Sequence, residues 1–363
     1  MYGSTLLTQD STAAGIISII VWLFDLLLFI LISVTFFTRW VRFTESTVHM
    51  FSSDVEQTTY LATSVIASAT LVELISLQCG STWHNWQYAC FALWWATVAL
   101  AFFAAATTYY ILICDEEVEL SNLSATLVYP TTGLLATASS GSIIIDYTPL
   151  SIRLSMPVLV VAYLCLGAGV SSSLHVVALT PAAKKVAAQL IPVGALSNAA
   201  YSYDTLGYLA GPKKHILEYY AKGPVADPSF GQGIYAAGLV LGLTLYGFAT
   251  IWLVLALINV AHDIPKTRFS LDMWCAAYPL GVYGVATTQF AIDFDSPAFR
   301  VLASIILVVF LLYWMYLIAF TVPMVLSGEL FLAEALKHVE EELAEREQAT
   351  EPDPSRSERP SEA

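Results

Sequence analysis

Nine long apolar blocks alternate with short polar connections along the chain. A helix needs about 20 consecutive, mostly apolar residues to cross a bilayer, and each block has roughly that length or more. The pattern therefore predicts an all-α polytopic membrane protein with nine spans. The predicted spans are residues 14–37, 59–78, 88–113, 127–145, 156–180, 187–209, 233–260, 271–292 and 298–326.

The chain changes character after the ninth block. Residues 329–349 repeat leucine and valine at helical spacing between charged residues, which is typical of an amphipathic helix at a membrane surface. Residues 350–363 are rich in proline, serine and glutamate, which predicts a disordered acidic tail. We therefore expect a transmembrane domain over residues 1–328, followed by a cytoplasmic helix and a tail.

The positions of basic residues predict how the spans are oriented. Lysine and arginine are more frequent in cytoplasmic connections than in external ones. The side of the membrane that holds the C-terminus has ten of them, and the opposite side has five. We therefore expect a cytoplasmic C-terminus, and nine spans then place the N-terminus outside.

Composition supports the same class of protein and excludes one kind of partner. Of the 363 residues, 57% are hydrophobic and 12% are charged, whereas soluble domains carry about 25% charged residues. The formal net charge is −14, and half of it belongs to the segment from Glu329 onwards. Nucleic-acid binding requires a basic patch, so the composition leaves the lipid bilayer as the expected partner.

A short pattern of a bulky residue, proline and then glycine recurs in every second span of the later part of the chain. The copies are YPTTG at 129–133, IPVGA at 191–195 and YPLGV at 278–282. A proline inside a helix removes a backbone hydrogen bond and kinks the helix. Irregular backbone is tolerated at membrane depth where it lines a water-filled cavity. The alternation predicts helical hairpins around a central pore, with kinked polar helices inside and apolar helices facing lipid.

The spans with the proline pattern, and the span over residues 59–78, carry many hydroxyl groups. Hydroxyls and amides suit a small anion, because an anion bound by a fixed lysine or arginine would leave too slowly for rapid conduction. No lysine lies within any predicted span. The residues expected to line the pore are Ser64, Ser68, Pro130, Thr131, Ser139, Ser140, Pro192, Asn198 and Thr287. Helix packing by small residues is the alternative interpretation for each of these spans.

Two acidic residues on the predicted pore helices are candidates for proton coupling. Ionisable side chains within a membrane are rare and mark ion or proton pathways. Glu73 and Asp204 meet this description. A protonated or paired group near a helix end is the alternative interpretation for both.

The chain lacks the sequence signs of enzyme chemistry. It has no HExxH and no GxSxG motif, and its five cysteines show no metal-binding spacing. We therefore expect no enzymatic activity, no cofactor and no metal site.

Four segments resemble a known family of membrane proteins. "FSLDMWCAAYPLGV", from residue 269, resembles the signature "FN-x-x-WW-x-FTFPLGV" of the tellurite-resistance/dicarboxylate transporter family. That family includes fungal sulfite efflux pumps, malate carriers and slow anion channels. The segments that begin at Ser52, Leu123 and Ile191 resemble three further motifs of this family in the same order.

The resemblance implies a fold of ten helices in five hairpins around a central pore, often assembled as a homotrimer. In the family a phenylalanine in the ninth helix plugs the pore. Aligned on Pro279, that position is Tyr278, so the resemblance implies a gate at Tyr278 and Pro279. The family's first helix has no separate counterpart here, which agrees with nine spans rather than ten.

Three functions remain open from the sequence. The preferred one is transport of a small anion, with sulfite efflux across the plasma membrane as its specific form. The second is a proton-coupled carrier of malate or a similar C4-dicarboxylate, in which Glu73 or Asp204 cycles a proton. The third is a degenerate paralogue that no longer transports, favoured by the missing helix.

Overall fold

The computed structural model describes residues 12–53, 58–79, 85–114, 125–179, 187–220, 222–263 and 269–328. These residues are almost entirely helical and contain no strand. The predicted helix at 329–349 and the predicted tail at 350–363 lie outside the described residues, so both stay predictions.

Nine long helices occur in the described residues, and each coincides with one predicted span. They are α1 (Thr12–Arg42), α2 (Leu61–Cys79), α3 (Trp86–Cys114), α4 (Tyr129–Tyr147), α5 (Ile152–Leu179), α6 (Ile191–Tyr208), α7 (Pro228–Asp263), α8 (Ala277–Asp293) and α9 (Pro297–Ser327). Two short helices, Thr44–Ser53 and Ile216–Tyr220, lie between them. The prediction of an all-α polytopic membrane protein is confirmed.

Length and hydropathy separate the helices into two kinds. Six of them are long and apolar enough to cross a membrane on composition alone. The other three are α4, α6 and α8, which are the helices with the proline pattern. A helix this polar is stable in a membrane only where other helices surround it.

Contacts divide the chain into two compact units, Met1–Phe310 and Leu311–Ala363. The first unit contains α1 to α8 and the beginning of α9. In the described part of the second unit, the remainder of α9 ends at Ser327.

Within the first unit, α4 and α6 are the central helices. Seventeen of the 19 residues of α4 and 15 of the 18 residues of α6 are buried. Helix α4 packs against α2, α3, α5 and α6, and α6 packs against α4, α5, α7 and α8. The apolar helices α3, α5 and α7 thus flank a row of polar helices in the order α2, α4, α6 and α8.

The row of polar helices is open at one side. Neighbours in the row pack along their lengths, but no comparable packing joins α8 back to α2 in the part of the chain that the structure describes. Helix α8 accordingly buries only six of its 17 residues.

The three prolines of the repeat stand at the beginning of their helices rather than inside them. Each α-helix follows a turn of 3₁₀-helix, at Ala125–Val128, Ala187–Leu190 and Leu271–Ala276. Pro130 and Pro192 are second in their helices, and the third proline of the repeat is third in α8. The first four N–H groups of a helix have no intrahelical acceptor, so these prolines do not break hydrogen bonds inside α-helices as the sequence pattern suggested.

Helices α3, α4 and α5 pack closely around Gly141, which has no side chain. A Cβ atom added at Gly141 would lie 3.0 Å from Trp94 Cζ2 and 3.2 Å from Ala162 Cβ. Trp94 is fully buried, and its Nε1 donates to the Thr137 carbonyl over 3.0 Å. Glycine at position 141 therefore allows the indole to lie directly on α4.

We expect Gly141→Val to destabilise the protein by about 1–3 kcal/mol, because overpacking a filled interior costs that much. Thermal unfolding of the purified protein in detergent measures the effect. Gly167→Val is the matched control, since a Cβ at Gly167 meets no atom within 4 Å. Equal unfolding temperatures for the two variants would contradict the tight contact.

Candidate functional site

Polar side chains from four helices meet between α2, α4, α6 and α8. Ser139 on α4 donates to Glu73 Oε1 on α2 over 2.7 Å. Asn198 on α6 donates from Nδ2 to the hydroxyl of Tyr278 on α8 over 2.5 Å. The phenols of Tyr201 and Tyr278 both lie close enough to Glu73 to interact with its charge. We call these five residues the polar column.

Three members of the polar column retain some accessible surface despite their position between helices. Glu73, Tyr201 and Tyr278 are half-buried, whereas Ser139 and Asn198 are 3% exposed. The phenol of Tyr201 is also within range of Asp146 near the C-terminal end of α4. The column therefore extends from the beginning of α8 towards the end of α4.

Two lysines of the segment that follows α6 lie at the C-terminal end of α4. Lys213 Nζ lies 2.5 Å from Asp146 Oδ1 and 5.6 Å from the centre of the Tyr208 ring. Burial lowers the pKa of the adjacent Lys214, which lies in the loop after α6. Two lysines thus stand at one end of the column, and no lysine or arginine contacts Glu73 in the described residues.

Helical geometry separates some predicted pore residues from the polar column. Ser64 precedes Glu73 by nine positions, and at about 100° per residue the two side chains leave α2 in opposite directions. Thr287 follows Tyr278 by nine positions on α8, and its Oγ1 lies 2.7 Å from the Tyr246 hydroxyl on α7. Ser64 and Thr287 therefore belong to other faces of their helices than the column does.

The remaining predicted pore residues contact their own helix or other neighbours, or stand at the beginning of their helices. Ser68 donates to the Ser64 carbonyl over 2.8 Å. Thr131 accepts from Ser173 on α5 over 2.7 Å, and Ser140 donates to the same Thr137 carbonyl that the Trp94 indole contacts. The prolines Pro130, Pro192 and Pro279 are buried at the starts of their helices. Of the predicted residues, the structure brings together Glu73, Ser139, Asn198 and Tyr278.

Most hydroxyl protons on the polar helices are already donated to backbone carbonyls of the same helix. Thr131, Thr132 and Thr137 donate to carbonyls three or four residues earlier, as serine and threonine often do in helices. By contrast, Ser197 and Ser202 on α6 are buried without a hydrogen-bond partner. Among the described residues of the polar helices, the buried hydroxyls without a hydrogen-bond partner therefore lie on α6.

Sequence reasoning missed Tyr201 and Asp293. Tyr201 follows the predicted pore residue Asn198 by three positions on the same helix, so helical spacing was a signal for it. Asp293 ends α8 and faces Asp204, a contact between helices that the sequence does not encode locally.

Metal-binding clusters are absent from the described ranges. No three histidine, cysteine, aspartate or glutamate side chains there converge in a way that would hold a metal ion.

Buried polar helices, apolar outer helices and a column of polar side chains between them define a polytopic membrane protein with a polar interior. Comparison with known families agrees. Residues 3–322 match the voltage-dependent anion channel family, and the chain belongs to that family. The resemblance found in the sequence is thereby confirmed.

Individual relatives come from fungi. The chain is 26% identical over 331 residues to the sulfite efflux pump SSU1 of Arthroderma benhamiae, covering 87% of this chain and 84% of the relative. It is 27% identical over 317 residues to the sulfite efflux pump SSU1 of Trichophyton rubrum, covering 84% of this chain and 80% of the relative. Both relatives are matched over most of their length.

Proposed function

We propose that this protein carries small inorganic anions outward across the plasma membrane, with sulfite or bisulfite as its substrate. The polar column is the observation that carries the proposal. It joins one acid, one amide and three hydroxyls from four helices, and its nearest lysines stand at one end. The names of the fungal relatives support sulfite as the substrate. We assign the protein no enzymatic step.

The column suits an anion that must leave as readily as it enters. Amide and hydroxyl donors bind an anion weakly, and conduction requires sites of this kind. In this proposal Asn198, Tyr201 and Tyr278 contact the anion. Lys214 raises the local anion concentration at the end of the path, since Lys213 is paired with Asp146. Tyr278 acts as the gate, next to Pro279.

Topology and assembly complete the proposal. The charge distribution of the loops supports a cytoplasmic C-terminus, and this orientation places Lys213 at the external end. The open side between α2 and α8 supports a homotrimer in which neighbouring subunits cover exposed helices.

A proton-coupled C4-dicarboxylate carrier is the second candidate. The observation in its favour is the acidic character of the path, because Glu73 lies in the column and Asp204 is fully buried on α6. A dicarboxylate brings two negative charges, and protonated carboxyls on the protein would reduce the repulsion.

Purified protein in liposomes distinguishes the candidates. We expect sulfite flux that exceeds malate flux and needs no proton gradient. Malate flux that requires a proton gradient, without sulfite flux, would overturn the sulfite proposal in favour of the second candidate. Failure to carry sulfite, malate, nitrate and chloride in correctly folded protein would identify a non-transporting paralogue. Empty liposomes and Gly141→Val protein are the controls for leak and misfolding.

A further inference from the structure

Asp204 is the most unusual buried group outside the polar column. Its side chain is 0% exposed, and neither carboxylate oxygen has a hydrogen-bond partner. A buried carboxylate without donors is costly, since removing a charge from water costs several kcal/mol or more. The site therefore requires either a ligand or a proton.

A second carboxyl group faces Asp204. Asp293 at the end of α8 and the amide of Gln289 approach the Asp204 carboxyl without a hydrogen bond of normal geometry. Gln289 donates its Nε2 to both Asp293 oxygens, over 3.1 and 3.2 Å. The amide thus stabilises an ionised Asp293 and leaves Asp204 facing a negative charge.

The groups around the two carboxyls supply no compensating cation. No lysine, arginine or histidine of the described residues is in electrostatic contact with Asp204. Lys213, at the end of the segment that follows α6, is already paired with Asp146. The titratable neighbours of the pair are Tyr163 on α5, Tyr201 and Tyr203 on α6, and Tyr235 on α7. All are phenols, which are neutral at physiological pH.

We propose that Asp204 and Asp293 share one proton between their carboxyl groups and form a proton-binding site beside the anion path. Asp204 is fully buried and Asp293 is half-buried. Two adjacent ionised carboxylates repel each other, and one bound proton turns this repulsion into a hydrogen bond. Asp204 then donates its proton to Asp293, which also accepts from Gln289. The pair is formed by the last part of α6 and the end of α8.

Infrared difference spectroscopy tests the bound proton without any transport measurement. We expect purified wild-type protein at neutral pH to show a protonated-carboxyl band that Asp204→Asn removes. Asp293→Asn is the second variant, because it replaces the acceptor of the shared proton and shifts the same band. Asp295→Asn is the matched control, since its carboxylate is exposed and paired with Arg300.

Two results would overturn the shared proton. One is an unchanged band in Asp204→Asn protein of native helicity, and the other is an identical band in Asp293→Asn and wild-type protein. A consequence for flux rests on the proposed anion transport: the ratio of chloride fluxes at two external pH values should move towards one in Asp204→Asn, because chloride itself does not titrate. The two proposals can fail separately. If the two variants change the band as expected but wild-type protein carries no anion, the transport proposal is rejected and the proton site is retained.

Discussion

Replacing Tyr278 with alanine raises anion flux by at least about tenfold. The tyrosine hydroxyl is held by the Asn198 amide over 2.5 Å, so the ring is fixed between α6 and α8. A hydrogen bond contributes about 0.5–1.5 kcal/mol, and about 1.4 kcal/mol in a barrier equals a factor of ten in rate. Alanine removes both the ring and this hydrogen bond. The initial rate of sulfite or chloride flux in liposomes measures the effect.

Two conservative variants separate the hydrogen bond from the ring. Tyr278→Phe keeps the obstruction but loses the hydroxyl, so we expect a smaller increase than with alanine. Tyr283→Phe makes the same chemical change on the other face of α8, where the hydroxyl lies 2.9 Å from Thr250 Oγ1, and should leave the flux unchanged. Equal fluxes for Tyr278→Ala and wild-type protein would reject Tyr278 as the gate.

The helices were predictable because hydropathy is a local property. All nine spans predicted from the apolar blocks match helices of the structure. They include α4, α6 and α8, which are too polar or too short to qualify as spans on length and hydropathy in the structure and which the proline pattern sets apart. The position of the prolines relative to hydrogen bonds was less predictable. A proline within an apolar run indicates a break in the helix, but only the backbone reveals that a 3₁₀ turn precedes Pro130, Pro192 and Pro279.

The sequence predicted which helices form the candidate site, but not which side chains of those helices face it. Counting hydroxyls along a span does not reveal which neighbour each one meets, and a hydroxyl that donates to its own helix is unavailable to a ligand. Ser139 and Ser140 are adjacent in sequence, yet one contacts Glu73 and the other stays with α4 itself. The facing of Asp204 and Asp293 depends on the packing of α6 against α8, which arises only in the tertiary structure.

The column also explains how a path for anions can contain an acid. Glu73 is the one acidic side chain of the column, and it accepts a hydrogen bond from Ser139. Two unit charges about 4 Å apart interact by about 4 kcal/mol at an effective dielectric constant near 20. An ionised Glu73 would therefore slow a passing anion by orders of magnitude, whereas a protonated Glu73 would not.

Glu73→Gln consequently raises anion flux by about tenfold or more at alkaline pH and has little effect at acidic pH. Glutamine has the shape of protonated glutamate, keeps an oxygen that accepts from Ser139, and carries no charge at any pH. The measurement is the ratio of variant flux to wild-type flux over a pH series, because this ratio cancels the titration of sulfite itself.

Glu218→Gln is the matched control for this series. Glu218 is half exposed in the short helix after α6, where it pairs with His215 over 3.1 Å. The ratio of Glu218→Gln flux to wild-type flux should therefore stay near one at every pH. A Glu73→Gln ratio that is independent of pH would mean that the carboxyl does not change charge on the anion path. Loss of flux in Glu73→Gln at all pH values would assign the carboxylate an essential role in coupling, as a proton-driven dicarboxylate carrier requires.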